Sequence, residues 1–261
     1  MPTSTLKISI ITVSFQSEAT IQDTLESVNE QTHPFVEHVI IDAASNDGTL
    51  EKVKKYGDRV SSVLSEKDKG IFDAYNKGLK VADGDIIGIL NSDDYYTSPY
   101  VLEHVAQIFE TEDVDAMYAD LIYVDEINTA KIVRYWKSKE VELLNFSCGF
   151  VPPHPTLFLR REVYERIGGF NPNYRFSGDF EFMLRVFEIH KVRSFYLDEI
   201  IVKMRTGGAT GGNLTSIKEQ NIEILRAFKE SKVKIVKYLY FACKVVNRVE
   251  QRLRAFFLHT L

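Results

Sequence analysis

An α/β fold with a mostly parallel central sheet, flanking helices and a C-terminal helical tail is what this sequence predicts, on three observations. Apolar runs at residues 8–13, 36–41, 85–90 and 116–124 have the length and β-branched content of buried strands. Segments of helical period separate them. Polar clusters follow three of the runs, where open α/β sheets bind their ligands.

The first run lies in MPTSTLKISIITVSF, which lacks the small-residue cleavage site of a signal peptide and reads as a strand. Ile21, Leu25 and Val28 then recur at helical spacing, as do Leu50 and Val53, and Ile71, Tyr75 and Leu79; each set predicts a crossover helix. After the third run, Ser98 and Pro99 read as an N-cap and first-turn proline, with Val101, Leu102, Val105 and Phe109 as the buried helix face. The second half is less regular. It offers a strand at 131–136, the loop VPPHP, the short segment TLFLRREVYERIGGF, a helix near FEFMLRVFEIHK and a strand at EIIVKM. RTGGATGGN at 205–213 predicts a mobile loop, and Ser216 with Glu219 a capping box opening a helix through Phe228. The tail mixes Lys234, Lys237, Lys244, Arg248, Arg252 and Arg254 with apolar residues. Such a basic amphipathic helix suits an anionic bilayer surface, and equally its own domain or a second subunit of a homodimer.

With 261 residues there is material for one large domain or two small ones. The 37 acids against 32 bases, net −5, argue against charge-driven nucleic-acid binding. Cys148 and Cys243, far apart in sequence and in apolar surroundings, suit buried free thiols and a cytoplasmic location. No segment reaches the roughly 18 apolar residues of a spanning helix.

The acidic doublet of LNSDDYY carries the strongest signal. Adjacent carboxylates raise one another's pKa unless a cation compensates, and hard oxygen ligands select Mg²⁺ or Mn²⁺. The bland alternative is a solvated loop capping the next helix. Asp42, directly after a strand, fits a simple turn role less well than Asp47, which precedes Gly48. Asp179 and Glu181 of SGDFEF share a face on a strand and diverge by about 200° on a helix. Asp179 is a candidate general base or a helix cap.

In ISIITVSF, IIDAASNDGT, SEKDKGIFDAYNKGLKVADGDIIGILNSDDYY and HPTLFLRREVYERIGGFNPNYRFSGDFEFMLR, in that order over about residues 6–206, the chain resembles the inverting glycosyltransferases of family 2. Those enzymes have the nucleotide-diphospho-sugar transferase fold called GT-A, with a Rossmann-like nucleotide-binding half and an acceptor-binding half. The resemblance implies a domain at 1–214, split into a donor half at 1–97 and an acceptor half with its mobile loop at 98–214, and a helical extension at 215–261. It places Thr12, Val13, Ser14 and Asp42 around the nucleotide base and ribose, and Glu18, Asp68, Asn76, Asn91 and Ser92 on the donor side, with Glu66 and Asp73 beside them. NSDD stands for the family's D-x-D metal motif with Asn91 in first position, so Mn²⁺ or Mg²⁺ is assigned to Asp93 with Asp94 nearby. Asp179 matches the catalytic base, His154 and Glu181 the acceptor or diphosphate side, and Lys203 and Arg205 a diphosphate clamp.

The implied reaction moves one hexosyl or N-acetylhexosaminyl group, from a UDP-sugar by family habit, to a hydroxyl of a glycan or lipid-linked glycan in cell-surface polysaccharide synthesis. It would take place in the cytoplasm, or peripherally on the cytoplasmic face of the inner membrane where the tail binds that surface. Processive synthesis is disfavoured because Q-x-x-R-W is absent; the sole tryptophan, Trp136, follows Tyr135. An NAD oxidoreductase is disfavoured because no G-x-G-x-x-G follows the first strand. A non-catalytic sugar-nucleotide-binding module of the same fold is the remaining alternative.

Overall fold

The structure, a computed structural model, describes residues 5–140, 145–207 and 214–258. Among these, nine strands form one sheet. Its first half is parallel: β1 (Ile8–Ser14), β2 (Val36–Asp42), β3 (Val60–Ser65) and β4 (Ile86–Ile89) lie in the order β3-β2-β1-β4. Ile8, Ile10 and Ile11 of β1 are wholly buried, as a central strand covered on both faces requires. The covering crossovers are α1 (Ile21–Asn29), α2 (Thr49–Tyr56) and α3 (Ile71–Val81), at the predicted spacings. β3 was not predicted. Its sequence VSSVLS alternates half-buried with exposed residues, because it is the sheet edge and lacks the continuous apolar run of its neighbours.

Beyond β4 the sheet becomes mixed, with antiparallel pairings interrupting the parallel order expected from the sequence. β8 (Phe158–Arg160) runs antiparallel between β4 and β6 (Ala116–Val124), and β9 (Ser194–Arg205) lies parallel to β6. β5 (Tyr95–Tyr96) pairs antiparallel with β9. β7 (Ile132–Trp136) pairs antiparallel with β6, since a seven-residue turn closed by Asp125 N–H donating to Lys131 O (2.9 Å) leaves no room for a crossover.

Two helix starts differ from expectation. α4 (Val101–Thr111) begins after Tyr100; the Ser98 hydroxyl accepts from the Tyr100 N–H (3.4 Å) and so closes the preceding turn. α7 (Leu214–Glu230) begins ahead of Ser216, which places Ser216 and Glu219 inside the helix rather than at its cap. Between them lie α5 (Arg161–Ile167) and α6 (Gly178–Met183), the latter continuing as a π-helical turn at Leu184–Ile189. Phe182 stacks on Tyr164 (5.3 Å between centroids) and meets Phe170 (4.4 Å), fixing α6 against α5 and the loop that follows it.

The last helix, α8 (Lys237–Leu258), packs on β7 and on the turn at Phe146–Cys148 through buried Tyr240 and Asn247. Asn247 Nδ2 donates to the carbonyls of Cys148 (3.2 Å) and Gly149 (3.3 Å). This contact makes Cys148 and Cys243 neighbours, and burial, then Cys243, raises the Cys148 thiol. The two thiols are free, as expected, but they are half-buried neighbours rather than separate core residues. Among the described residues no helix is long and apolar enough to cross a membrane.

Candidate active site

A cleft of about 1480 Å³ opens across the carboxyl ends of β1, β2 and β4 and extends to α8. On the β1 and β2 side it is lined by Val13, Ser14, Gln16, Ala43 and Ala44. Gln16 (φ 52°) and Ala44 (φ 58°) hold left-handed backbone that costs a non-glycine residue free energy. Bonds between the two loops impose it: Ala43 N–H donates to Ser14 O (2.9 Å) and Gln16 N–H to Ser45 Oγ (2.9 Å).

Asp42 lies beneath these loops, fully buried, and is not part of the lining. Its carboxylate accepts from Ser14 Oγ (3.1 Å), Ser45 Oγ (2.5 Å), Ser45 N–H (2.9 Å) and Ser65 Oγ (2.7 Å), tying the ends of β1, β2 and β3 together. A contact from Asp42 to a bound base requires one of those serines to let go. Thr12 is likewise turned inward, its hydroxyl 2.8 Å from His38 Nε2. Glu18 accepts from Gly48 N–H (3.2 Å) at the loop's outer side, and Asn76 clamps both backbone groups of Phe170 (2.7 and 2.9 Å). Glu66 pairs with Lys77 (2.9 Å), and Asp73 accepts from Lys69 N–H (3.1 Å). Asp68 does reach the cleft; one of its oxygens accepts from Gly70 N–H (2.9 Å), and Gly70 rather than Asp68 precedes α3.

The doublet divides its roles. Asn91, Ser92 and Asp93 line the cleft, whereas Asp94 is fully buried beside it. Asn91 Oδ1 accepts from the Tyr75 hydroxyl (2.7 Å), and Ser92 Oγ meets Ser17 Oγ (2.8 Å). Burial pushes the Asp93 carboxyl above its usual range while the Arg205 guanidinium pulls it back. Asp94 is pushed well above that range by burial and then by the Asp93 charge. Its Oδ2 takes Asn91 Nδ2 at 3.4 Å, and its Oδ1 has no hydrogen-bond partner. Arg205, 6% exposed, donates to the Asp93 carbonyl (2.8 Å) and pairs with Asp23, so a fixed cation already stands at the strand end. Lys203, by contrast, sits outside the lining with its ammonium 5.7 Å from the Tyr95 ring centre.

Asp179 enters the same cleft from the second residue of α6. Ser177 is the residue before the helix, so Asp179 is not its cap. Burial raises its carboxyl to about 6, and the carboxylate accepts a hydrogen bond from Phe180 N–H (2.8 Å). Glu181 points elsewhere, as the helical angle dictates: it grips Arg185 at 2.7 and 3.1 Å, and Arg185 secures the carbonyls of Ile167 and Gly169. His154 lines the cleft next to the rings of Tyr75 and Phe170, and burial lowers its imidazole to about 4, which keeps it neutral at pH 7. The glycine-rich segment 208–213 lies outside the described residues.

Among the described residues no three His, Cys, Asp or Glu side chains gather as a self-sufficient metal site. The cleft-facing Asp93 nevertheless fits a hard cation of the kind that takes one carboxylate and completes its shell with substrate phosphate and water, and the orphaned Asp94 oxygen leaves unpaired negative charge buried beside it. Sequence reasoning missed Tyr123, Glu126, Arg134 and Arg175, which also line the cleft.

A family model described as Glycosyl transferase family 2 matches residues 9–168. A PGL/p-HBAD biosynthesis glycosyltransferase of Mycobacterium bovis is 25% identical over 209 residues, covering 79% of each chain. A Bacillus subtilis protein whose name places it in teichuronic acid biosynthesis is 39% identical over 90 residues, covering 33% of this chain and 36% of that one. Among solved structures, S. aureus TarS 1-349 in complex with UDP superposes with a TM-score of 0.68 at 20% identity over 88% of this chain; the match spans 66% of that chain. The mannosyltransferase PcManGT from Pyrobaculum calidifontis, in complex with GDP-Man and Mn²⁺, superposes with a TM-score of 0.70 at 17% identity over 99% of this chain and 76% of that one.

Proposed function

The chain belongs to glycosyl transferase family 2, a family of transferases, and from that premise we propose that it moves one sugar from a nucleotide diphosphate to an acceptor hydroxyl with inversion at the anomeric carbon. The observation that carries this reading is that Asp93 and Asp179 open into one cleft at the carboxyl ends of the strands. The donor lies on the side of Val13, Ser14, Ala43 and Asp68, within the half at 1–97; the acceptor enters from the half at 98–214. Asp179 takes the acceptor proton as the new bond forms, and its raised pKa matches a base that must be ionised yet bind a proton firmly. Arg205 holds the Asp93 backbone in place and adds positive potential where the departing diphosphate gathers charge.

Asp93, with Asp94 behind it, would hold Mn²⁺ or Mg²⁺, which when bound neutralises charge on the diphosphate. UDP and GDP sugars are both candidates, given the ligands of TarS and PcManGT. A cell-envelope glycan is the acceptor class that the teichuronic acid relative favours. Thermal-shift screening of UDP- and GDP-sugars with and without Mn²⁺ tests the donor assignment. One donor should raise the Tm by several degrees, and only with the metal; no shift with any nucleotide would refute the reading, since a ligand of the native state must stabilise it.

The tail supports a membrane-surface role. Leu239, Val246, Val249, Leu253 and Phe256 are each more than half exposed and, at about 100° per residue, lie on the side of α8 opposite the buried Tyr240, Asn247 and Ala255. Arg252 flanks this stripe and Arg248 follows it toward the cleft, a charge arrangement that suits an anionic bilayer better than a second apolar subunit. The protein should float with phosphatidylglycerol vesicles in a salt-sensitive manner, and Leu253→Ser with Phe256→Ser should abolish flotation. A dimer in solution that the same pair of changes dissociates would assign the stripe to subunit contact instead.

A further inference from the structure

The arm of the cleft farthest from β2 is walled by β7 and by the basic flank of α8, and its charge is unbalanced. Arg134, Lys244 and Arg248 all line it. Arg134 is 9% exposed, its guanidinium stacked 3.5 Å from the centre of the Tyr123 ring, and its Nε is buried without a hydrogen-bond partner. Among the described residues no carboxylate forms an ion pair with any of the three. Lys244 donates to the neutral Asn221 Oδ1 (2.7 Å). The cations sense one another: burial first, then the Arg248 charge, lowers Lys244 to about 8, and Arg134 is lowered to about 10 by burial, with Arg248 and Arg252 adding to the effect. A fold that buries a guanidinium beside two further cations without a counter-charge spends stability there, and a bound anion repays it.

We propose that Arg134, Lys244 and Arg248 form a subsite for a phosphate group carried by the acceptor. This rests on the transferase reading above and adds the acceptor's chemical class. Two placements support it. Tyr123, against which Arg134 stacks, lines the same cleft as Asp179 and feels the charges of Asp94 and Asp179 as well as of Arg248, so the subsite opens into the space that holds the candidate base. The basic flank also runs between the cleft and the exposed apolar stripe of α8, where the phosphate of a bilayer-anchored acceptor would lie. A guanidinium presents paired N–H donors suited to phosphate oxygens, and the two α8 cations supply further charge.

The test measures binding of glycerol 3-phosphate by calorimetry with the full chain, in the presence and absence of saturating UDP and Mn²⁺. Glycerol is the neutral control, and phosphatidic acid vesicles compared with phosphatidylcholine vesicles form the lipid arm. Glycerol 3-phosphate should bind with UDP present, and Arg248→Gln, an exposed position with little consequence for folding, should weaken it at least fivefold. Arg134→Lys should weaken it by a similar factor while circular dichroism and Tm stay near wild type. Loss confined to the vesicle arm would assign the phosphate to a lipid headgroup, and loss in both arms to any phosphate ester; both outcomes support the subsite. Affinity unchanged by both variants in both arms, or competition between glycerol 3-phosphate and UDP, would overturn it. A chain that never binds UDP but still binds glycerol 3-phosphate through Arg248 would overturn the donor reading and leave the subsite standing.

Discussion

Asp179→Asn should cripple transfer and stabilise the protein at the same time. General-base removal costs roughly 10²–10⁴-fold in rate, so kcat is expected to fall about 1000-fold with little change in donor affinity. The stability gain follows from linkage. Burial raises this carboxyl from 3.8 to about 6, so the folded state holds the proton that the unfolded state releases. That preference stabilises the fold fully below about pH 4, fades as pH rises through 6, and is absent at pH 7, where ionising the buried group costs on the order of 3 kcal/mol. Asparagine keeps the oxygen that accepts from Phe180 N–H and never ionises. The Tm should rise by roughly 4–10 °C at pH 7, and the gain should shrink toward zero near pH 4. Wild-type kcat/KM should climb with pH to a plateau above about 6. A variant that keeps more than a tenth of the transfer rate, or whose Tm gain ignores pH, removes Asp179 from the role of base.

The parallel half of the sheet was legible because each central strand is a continuous apolar run and each crossover shows one buried stripe. The edge strand β3 was not: its polar alternation resembles loop. β5 is two residues long and exists through pairing with Lys203 and Val202 far along the chain. At the site, motif order located the cleft, but side-chain direction is a tertiary property. Nothing in IIDAAS says that Asp42 spends its oxygens on three serines, or in NSDD that Asp94 turns inward while Asp93 turns out. Glu181 is the exception: a helix, once chosen over a strand, already separates it from Asp179. The cationic arm was half visible. Lys244 and Arg248 stood out as tail charges, whereas Arg134, 110 or more positions away, joins them through the β7 and α8 packing alone.

The unequal exposure of the doublet yields a second large effect. A metal bridging protein and diphosphate needs a carboxylate that faces the cleft, and that is Asp93. Asp93→Asn removes the carboxylate charge that faces the ion while preserving shape, so transfer in Mn²⁺ should fall at least 100-fold and the Mn²⁺-dependent thermal shift with donor should vanish. Asp94 is enclosed by protein, with Asn91 Nδ2 at 3.4 Å and the Thr24 hydroxyl donating to its backbone carbonyl (2.7 Å). Asp94→Asn retains that volume and sheds a buried like charge beside Asp93, so its loss of transfer should stay within about tenfold and its metal response should persist. The physical reason for the asymmetry is distance from solvent and donor: charge that cannot approach the ion acts on it only through Asp93, as a field rather than a ligand. Metal-titrated thermal shifts of the two variants, run beside transfer assays, decide the matter. Equal losses in both would mean that Asp94 turns outward to ligate, and indifference of Asp93→Asn to Mn²⁺ would leave Arg205 as the sole cation serving the leaving group.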